Sequence, residues 1–200
     1  MTDHYFTSQP NAEKNEKTLE VKLKGNTLKL YTDSGVFSKE RVDYGSQVMI
    51  EAIDVAVFPN EKVLDMGCGY GPVGLSLAKA YPDLAVDMVD VNERALDLAR
   101  KSAEANQIQN VKIYPSSIYE EVKEQEFGAV ISNPPIRAGK KVVHQIISEA
   151  HQHLADQGVL IIVIQKKQGA PSAKQRMIDV FGNVERIGLD KGYWILQSTK

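Results

Sequence analysis

Val63-Leu64-Asp65-Met66-Gly67-Cys68-Gly69-Tyr70-Gly71-Pro72 runs from an apolar segment through three alternating glycines to a proline. The apolar part, which begins at Lys62, reads as a short buried strand. The glycines let the backbone turn tightly and approach a ligand without Cβ clashes. Proline suits the first turn of a helix, expected here from Pro72 to about Tyr81. A strand, a glycine loop and the free N–H groups of a helix start make a ligand-binding edge in open α/β sheets.

The chain repeats this alternation on the C-terminal side. Ala85 to Val89 is a second strand, ending at Asp90. Asn92 caps a helix to about Asn106, with Ala95, Leu98, Ala99 and Ala103 on one face. Val111–Tyr114, Gly128–Ser132 and Val159–Ile164 are further strands, and His144–Leu154 and Lys174–Phe181 are helices. Val184–Ile187 and Tyr193–Leu196 pair across Asp190-Lys191-Gly192. Upstream, Leu19, Val21 and Leu23, then Leu28 and Leu30, alternate with polar residues around Gly25-Asn26, which predicts a β-hairpin. Ser34 to Ser38 is a loop, and Asp43 is placed to cap a helix from Tyr44 to about Val55. Strands alternating with helices imply a parallel sheet covered on both faces. The expected organisation is one domain over 1–200, with an extension and hairpin at 1–33 and the core at 34–200.

A net charge of −2 supplies no global field toward nucleic acid or an anionic membrane, although a local patch suffices for RNA. Cys68 is the single cysteine, so the sequence holds neither an intramolecular disulfide nor a cysteine cage for a metal. Met1-Thr2-Asp3-His4-Tyr5 resembles no signal peptide, and no run is long enough to span a bilayer; a cytoplasmic location is expected. His144, His151 and His153 share a helix without cysteine or paired acids, so no metal site is expected there.

Asn133-Pro134-Pro135-Ile136 follows the apolar strand ending at Ser132, again at a carboxyl edge. Two prolines donate no hydrogen bonds and have little backbone freedom. An asparagine oxygen and a proline carbonyl fixed there can accept both hydrogens of an amino group on a planar substrate. The alternative is a rigid strand-ending turn. The glycine loop also has two readings. Gly69-Tyr70-Gly71-Pro72-Val73-Gly74 is a literal G-x-G-x-x-G, and Asp90 lies about twenty residues on, as a dinucleotide fingerprint requires. Against that, two loop residues precede the first glycine of the match, and Pro72 removes an N–H that a pyrophosphate would use. Asp90 can accept ribose hydroxyls in either case, or act as a helix-capping acid beside Asn92.

Asp65-x-Gly67-x-Gly69-x-Gly71 with Asp90 and Asn133-Pro134-Pro135 resembles the class I S-adenosylmethionine-dependent methyltransferases. Gly35-Val36-Phe37-Ser38, Asp43-x-Gly45-Ser46 and Asn133-Pro134-Pro135-Ile136-Arg137 resemble the branch that methylates guanine N2 in small-subunit ribosomal RNA. The resemblance covers the chain from about Tyr31 onward. It implies a Rossmann-like, mostly parallel seven-stranded sheet with the last strand antiparallel. It further implies that Asp65, Gly67, Gly69 and Gly71 meet S-adenosylmethionine, that Asp90 binds its ribose and that Phe37 helps close the pocket. Two departures stand out. The acidic residue frequent near the adenine amine is replaced by Ser116-Ser117-Ile118, so Ser117 bonds without charge. Longer relatives also carry an additional N-terminal domain thought to help bind RNA, where this sequence has a hairpin.

The expected activity is N-methylation of an exocyclic amine, with guanine N2 of small-subunit ribosomal RNA as the leading substrate. Asn133, Pro134 and Pro135 are the expected catalytic element. Ile136 offers an apolar wall where DNA-adenine and release-factor glutamine methyltransferases usually have an aromatic. Arg137, Lys140 and Lys141 after that turn, and Lys166 and Lys167 after the next strand, form an expected RNA-facing group or, alternatively, an ordinary solvated edge. Gly169-Ala170-Pro171-Ser172 is expected to be a flexible rim. Two further readings stay open: the same chemistry on an RNA adenine, a protein glutamine or a small molecule, and a cofactor-binding ribosome-associated module without turnover.

Overall fold

The computed structural model describes residues 15–36 and 38–200. The first elements among the described residues are the hairpin strands β1 (Lys17–Leu23) and β2 (Asn26–Thr32). Its turn is Lys24-Gly25, one residue earlier than the sequence suggested, because both residues have positive φ, 47° and 79°. The hairpin lies on the core. Leu23, Leu28 and Leu30 are buried, and side chains of the long helix α3 (Glu93–Ala105) bond along β2. Ser102 Oγ accepts from Tyr31 N (2.9 Å), and the Asn106 amide takes both the N–H and the C=O of Lys29 (2.9 and 2.7 Å). These contacts satisfy groups that an edge strand otherwise leaves open.

After the hairpin come α1 (Tyr44–Ala52), β3 (Lys62–Met66), α2 (Pro72–Ala80), β4 (Ala85–Asp90), α3 and β5 (Val111–Pro115). Then follow β6 (Phe127–Ser132), α4 (Lys140–His153), β7 (Leu154–Gln165), α5 (Ala170–Phe181), β8 (Glu185–Asp190) and β9 (Tyr193–Thr199). Seven strands form one sheet in the order β5-β4-β3-β6-β7-β9-β8, in which β9 runs antiparallel to both neighbours. This is the α/β Rossmann-like arrangement that the sequence implied. Alternation along each strand divides the core. Val63, Met88, Ile131 and Ile161 pack with α1, α2, α3 and the hairpin, whereas Leu64, Val89, Val130 and Leu160 pack with α4 and α5.

Several boundaries differ from expectation. α1 stops at Ala52 because the Asp54 carboxylate accepts from Ala56 N (3.0 Å) and starts a separate 3₁₀ turn over Val55–Val57. α4 starts at Lys140 rather than His144, directly after Gly139 with φ 94°. β7 starts at Leu154, with a register shift against β6, and reaches Gln165. The segment expected to be a flexible rim is instead the first turn of α5, entered from Gly169 at φ 110°.

The sheet order places a switch point between β3 and β6: the chain proceeds from β3 outward to β4 and β5, then returns to β6 and moves the other way. Loops leaving adjacent carboxyl ends there diverge and open a crevice. Met66 and Ser132 are paired at that edge, and Ser132 Oγ donates to Met66 O (2.8 Å). The glycine loop and the Asn-Pro-Pro turn therefore leave the sheet side by side.

Candidate active site

A cavity of about 710 Å³ occupies this crevice. Asp65, Gly67, Gly69, Asp90, Ser117, Asn133, Pro134, Pro135, Ile136 and Arg137 all line it. Chain segments separated by up to some seventy positions thus converge as the sequence pattern anticipated.

The glycine loop folds back on β4. Gly67 N and Cys68 N both donate to Val89 O (2.9 Å each), and Gly69 N donates to Asp90 Oδ2 (2.9 Å). Gly67 and Gly69 have φ of 74° and 55°, and a Cβ on either would stand in open space. Gly71 is different. It does not line the cavity, and a Cβ there would come within 2.8 Å of Leu75 and 3.0 Å of Met88. Its requirement for glycine comes from packing and from φ 97°.

Asp65 is buried, and its Oδ2 accepts from Gly74 N (2.8 Å). Burial, reinforced by the nearby Asp90 charge, pushes its carboxyl up to about 7. Burial likewise raises Asp90, whose Oδ1 accepts from Asn92 N (2.8 Å). Helix capping falls to Asn92, which accepts from Ala95 N (3.2 Å), so Asp90 is not the cap. Two desolvated acids on one wall favour a cationic ligand and oppose a pyrophosphate, which weighs against a dinucleotide. S-adenosylmethionine, which carries a sulfonium and an ammonium, fits a wall with these two acids and the open glycine loop. Cys68 is buried, and its thiol is pushed well up by that burial, which suits packing rather than nucleophilic chemistry.

The Asn-Pro-Pro turn has a built orientation. Asn133 Nδ2 donates to Asp43 Oδ2 and to Ser46 Oγ, both at 2.9 Å. A carboxylate only accepts, so this contact fixes which end of the amide is the NH₂. Asn133 Oδ1 is left without a partner among the described residues, on a side chain lining the cavity. The Pro135 carbonyl is taken by Ala138 N (2.9 Å) in a 3₁₀ turn over Ile136–Ala138, whereas the Pro134 carbonyl accepts no backbone bond among the described residues. Two acceptors thus remain at the turn, Asn133 Oδ1 and Pro134 O. Asp43 also accepts from Ser46 N (3.0 Å) as the cap of α1. The sequence located that cap but not its grip on Asn133, some ninety residues away.

Lys140, Lys166 and Lys167 are exposed and do not line the cavity, whereas Arg137 does. Phe37 lies outside the described residues. Sequence reasoning missed Tyr193, Gln165 and Ser46, which line the cavity from β9, β7 and α1. Among the described residues no group of three His, Cys, Asp or Glu is placed to hold a metal ion, and no helix is long and apolar enough to cross a membrane.

The fold and site define a class I S-adenosylmethionine-dependent methyltransferase, and comparison with known proteins agrees. The chain belongs to the methyltransferase small domain family, which matches residues 27–197. It is 45% identical over the full length of both chains to YbxB of Bacillus subtilis strain 168, a protein of uncharacterized function. It is 36% identical to ribosomal RNA small subunit methyltransferase C of Haemophilus influenzae strain PittEE, over 68% of this chain and 41% of that relative. The chain therefore spans less than half of that enzyme. The fold also matches the T. thermophilus 16S rRNA N2 guanine methyltransferase RsmC, solved with AdoMet and guanosine (TM-score 0.81, 24% identity, 92% of this chain and 50% of that one).

Proposed function

We propose that the protein methylates the N2 amine of a guanine in small-subunit ribosomal RNA. The carrying observation is the Asn133 amide, clamped by Asp43 and Ser46 so that its oxygen and the Pro134 carbonyl form a pair of acceptors beside the cofactor cleft. An exocyclic amine is a poor nucleophile because its lone pair is delocalised into the ring. Accepting both of its N–H bonds favours a pyramidal nitrogen and turns the lone pair toward the methionine end of the cavity. S-adenosylmethionine, when bound, supplies an electrophilic methyl group. The chain's own contribution is positioning and fixed dipoles; the C–S bond breaks as the N–C bond forms, and the methylated nitrogen, now cationic and strongly acidic, sheds its proton to solvent without a general base of unusual pKa.

The choice of guanine rests on likeness to the ribosomal RNA methyltransferases, of whose length this chain covers half or less. Ile136 supports it by providing an apolar wall at the cavity where an aromatic would favour other targets. Exposed Arg137, Lys140, Lys141, Lys166 and Lys167 follow the two central strands and supply contacts for RNA phosphates.

The test is methyl transfer from labelled S-adenosylmethionine to small ribosomal subunits, naked ribosomal RNA and bulk cell protein. The expected label is N2-methylguanosine. Label confined to another nucleoside or to protein would replace guanine by that amine. Cofactor binding with no transfer to any of them would leave a non-catalytic module.

A further inference from the structure

Gln165 and Tyr193 line not only the active-site cavity but also a second recess, of about 380 Å³, which adjoins it through them. Its other walls are Arg41, Val42, Tyr44, Gln47 and Lys191. Its volume lies in the range of small-ligand sites. It is assembled from the loop before α1, the first turn of α1 and the β8–β9 turn.

The recess has a rigid aromatic side. Tyr193 packs so closely on Gly45 that a Cβ there would stand 2.8 Å from its ring. The Tyr44 ring lies 5.8 Å from it, tilted by 58°. The Tyr44 hydroxyl donates to Asp190, which anchors that ring to the β8–β9 turn. The recess also has a cationic rim. Lys191 and Gly192 form the turn with φ of 45° and 82°, and the Lys191 ammonium lies 4.5 Å over the Tyr44 ring. Arg41 and Lys191 are exposed and form no salt bridge among the described residues. Lys166 N donates to Gly192 O (2.8 Å), which sets the Lys166-Lys167 pair beside the same turn. The acids nearby, Asp190 and Asp43, are engaged by Tyr44 and by Asn133 with Ser46.

The Tyr193 ring beside the cations of Arg41 and Lys191 matches the two parts of a nucleotide: the base, which stacks, and the phosphate, which pairs. We propose that this recess holds the nucleotide adjacent to the methylated one in a single-stranded stretch of RNA. Its base lies against Tyr193 and the connecting phosphate against Arg41 and Lys191. The inference rests on RNA being the substrate. Gln165 and Tyr193 belong to both walls, so a strand whose target base is lodged at Asn133 can continue past Tyr193 into the recess. The site therefore selects a target whose neighbour is unpaired, since a neighbour held in a duplex cannot reach the tyrosines.

The experiment is binding of a fluorescent guanosine-containing ribotrinucleotide and of guanosine monophosphate, at several salt concentrations, to cofactor-saturated protein. The wild type is compared with Arg41→Gln/Lys191→Asn and with Lys191→Asn alone; asparagine tolerates the left-handed turn position, so the turn is kept. The trinucleotide should bind the wild type at least tenfold more tightly than the mononucleotide. In the double variant that advantage should vanish and the slope of log affinity on log salt should shrink by about 1.4, with about half that change in the single variant. Cofactor affinity should stay within twofold. Equal binding of the two ligands by the wild type, or an unchanged affinity and slope in the double variant, would overturn the subsite. Labelled methyl transfer by the wild type separates this from the activity. Recess-dependent binding without RNA label would retire the methylation reading and keep the recess as a site for single-stranded RNA. RNA label with unchanged binding in the double variant would retire the subsite alone.

Discussion

Replacing Asp43 tests whether the orientation of Asn133 is what the site is built to provide. Asp43 Oδ2 accepts from Asn133 Nδ2 at 2.9 Å and from Ser46 N at 3.0 Å. Asp43→Ala removes a charge-assisted bond to the amide, a loss of about 1.5–3 kcal/mol. Felt wholly in the transition state, that is roughly a 10- to 150-fold fall in the rate of transfer. The same change removes the cap of α1, costing about 0.5–2 kcal/mol of stability. Asp43→Asn separates the two effects. It caps as well and keeps an acceptor oxygen, but loses the charge, which about halves the bond strength. Its rate should fall by only about 3- to 10-fold with the melting temperature nearly unchanged. The assay is single-turnover transfer of labelled methyl at saturating RNA and cofactor, with cofactor affinity and thermal unfolding in parallel. Both variants should lose kcat while KM for RNA moves less than twofold. Rate losses that track the loss of stability, or an alanine variant as fast as the asparagine one, would refute the argument.

The remaining predictions concern proton linkage and packing. In the cofactor-free protein Asp65 is held up at about 7 against an ordinary 3.8. It therefore adds stability below about pH 4 that is lost as pH rises to about 7, because over that range the folded chain holds the proton and the unfolded chain does not. A cationic cofactor favours the ionised form, so affinity should climb by up to about one log unit per pH unit below 7 and then level off. Calorimetry across buffers should detect proton release at pH 6, and Asp65→Asn should flatten the profile. Gly128→Ala would place a Cβ 2.4 Å from the Asn60 carbonyl oxygen in the fully buried strand β6. It should cost about 3 kcal/mol in urea unfolding. Thr32 is fully buried with its hydroxyl unpartnered among the described residues, so Thr32→Val should raise stability by about 1 kcal/mol.

Much of this architecture is legible in the sequence because local chemistry agrees with the final fold. Asn92 and Asp43 cap the helices they precede, and the strand cores alternate to two faces. The boundaries that escaped reading are set by single backbone positions. Gly139 and Gly169 at positive φ start helices where composition suggests loop, and Gln157 at φ 64° lies within the longer β7. The lining of the cavity was legible where one motif supplies a whole wall, as at Gly67, Gly69 and Asp90. It was not legible where function is shared between distant segments. That Asp43 grips Asn133, that Gly71 serves packing, and that Tyr193 walls the cavity all depend on the sheet order, which periodicity does not reveal.

The most direct measurement is methyl transfer into small-subunit RNA by the wild type and by Asn133→Ala, with nucleoside identification and cofactor affinity determined on the same samples. The expected result is N2-methylguanosine from the wild type, a loss of at least roughly a hundredfold in the variant, and cofactor affinity within twofold. Comparable turnover by Asn133→Ala, with the same cofactor affinity, would contradict the claim that this amide aims the amine.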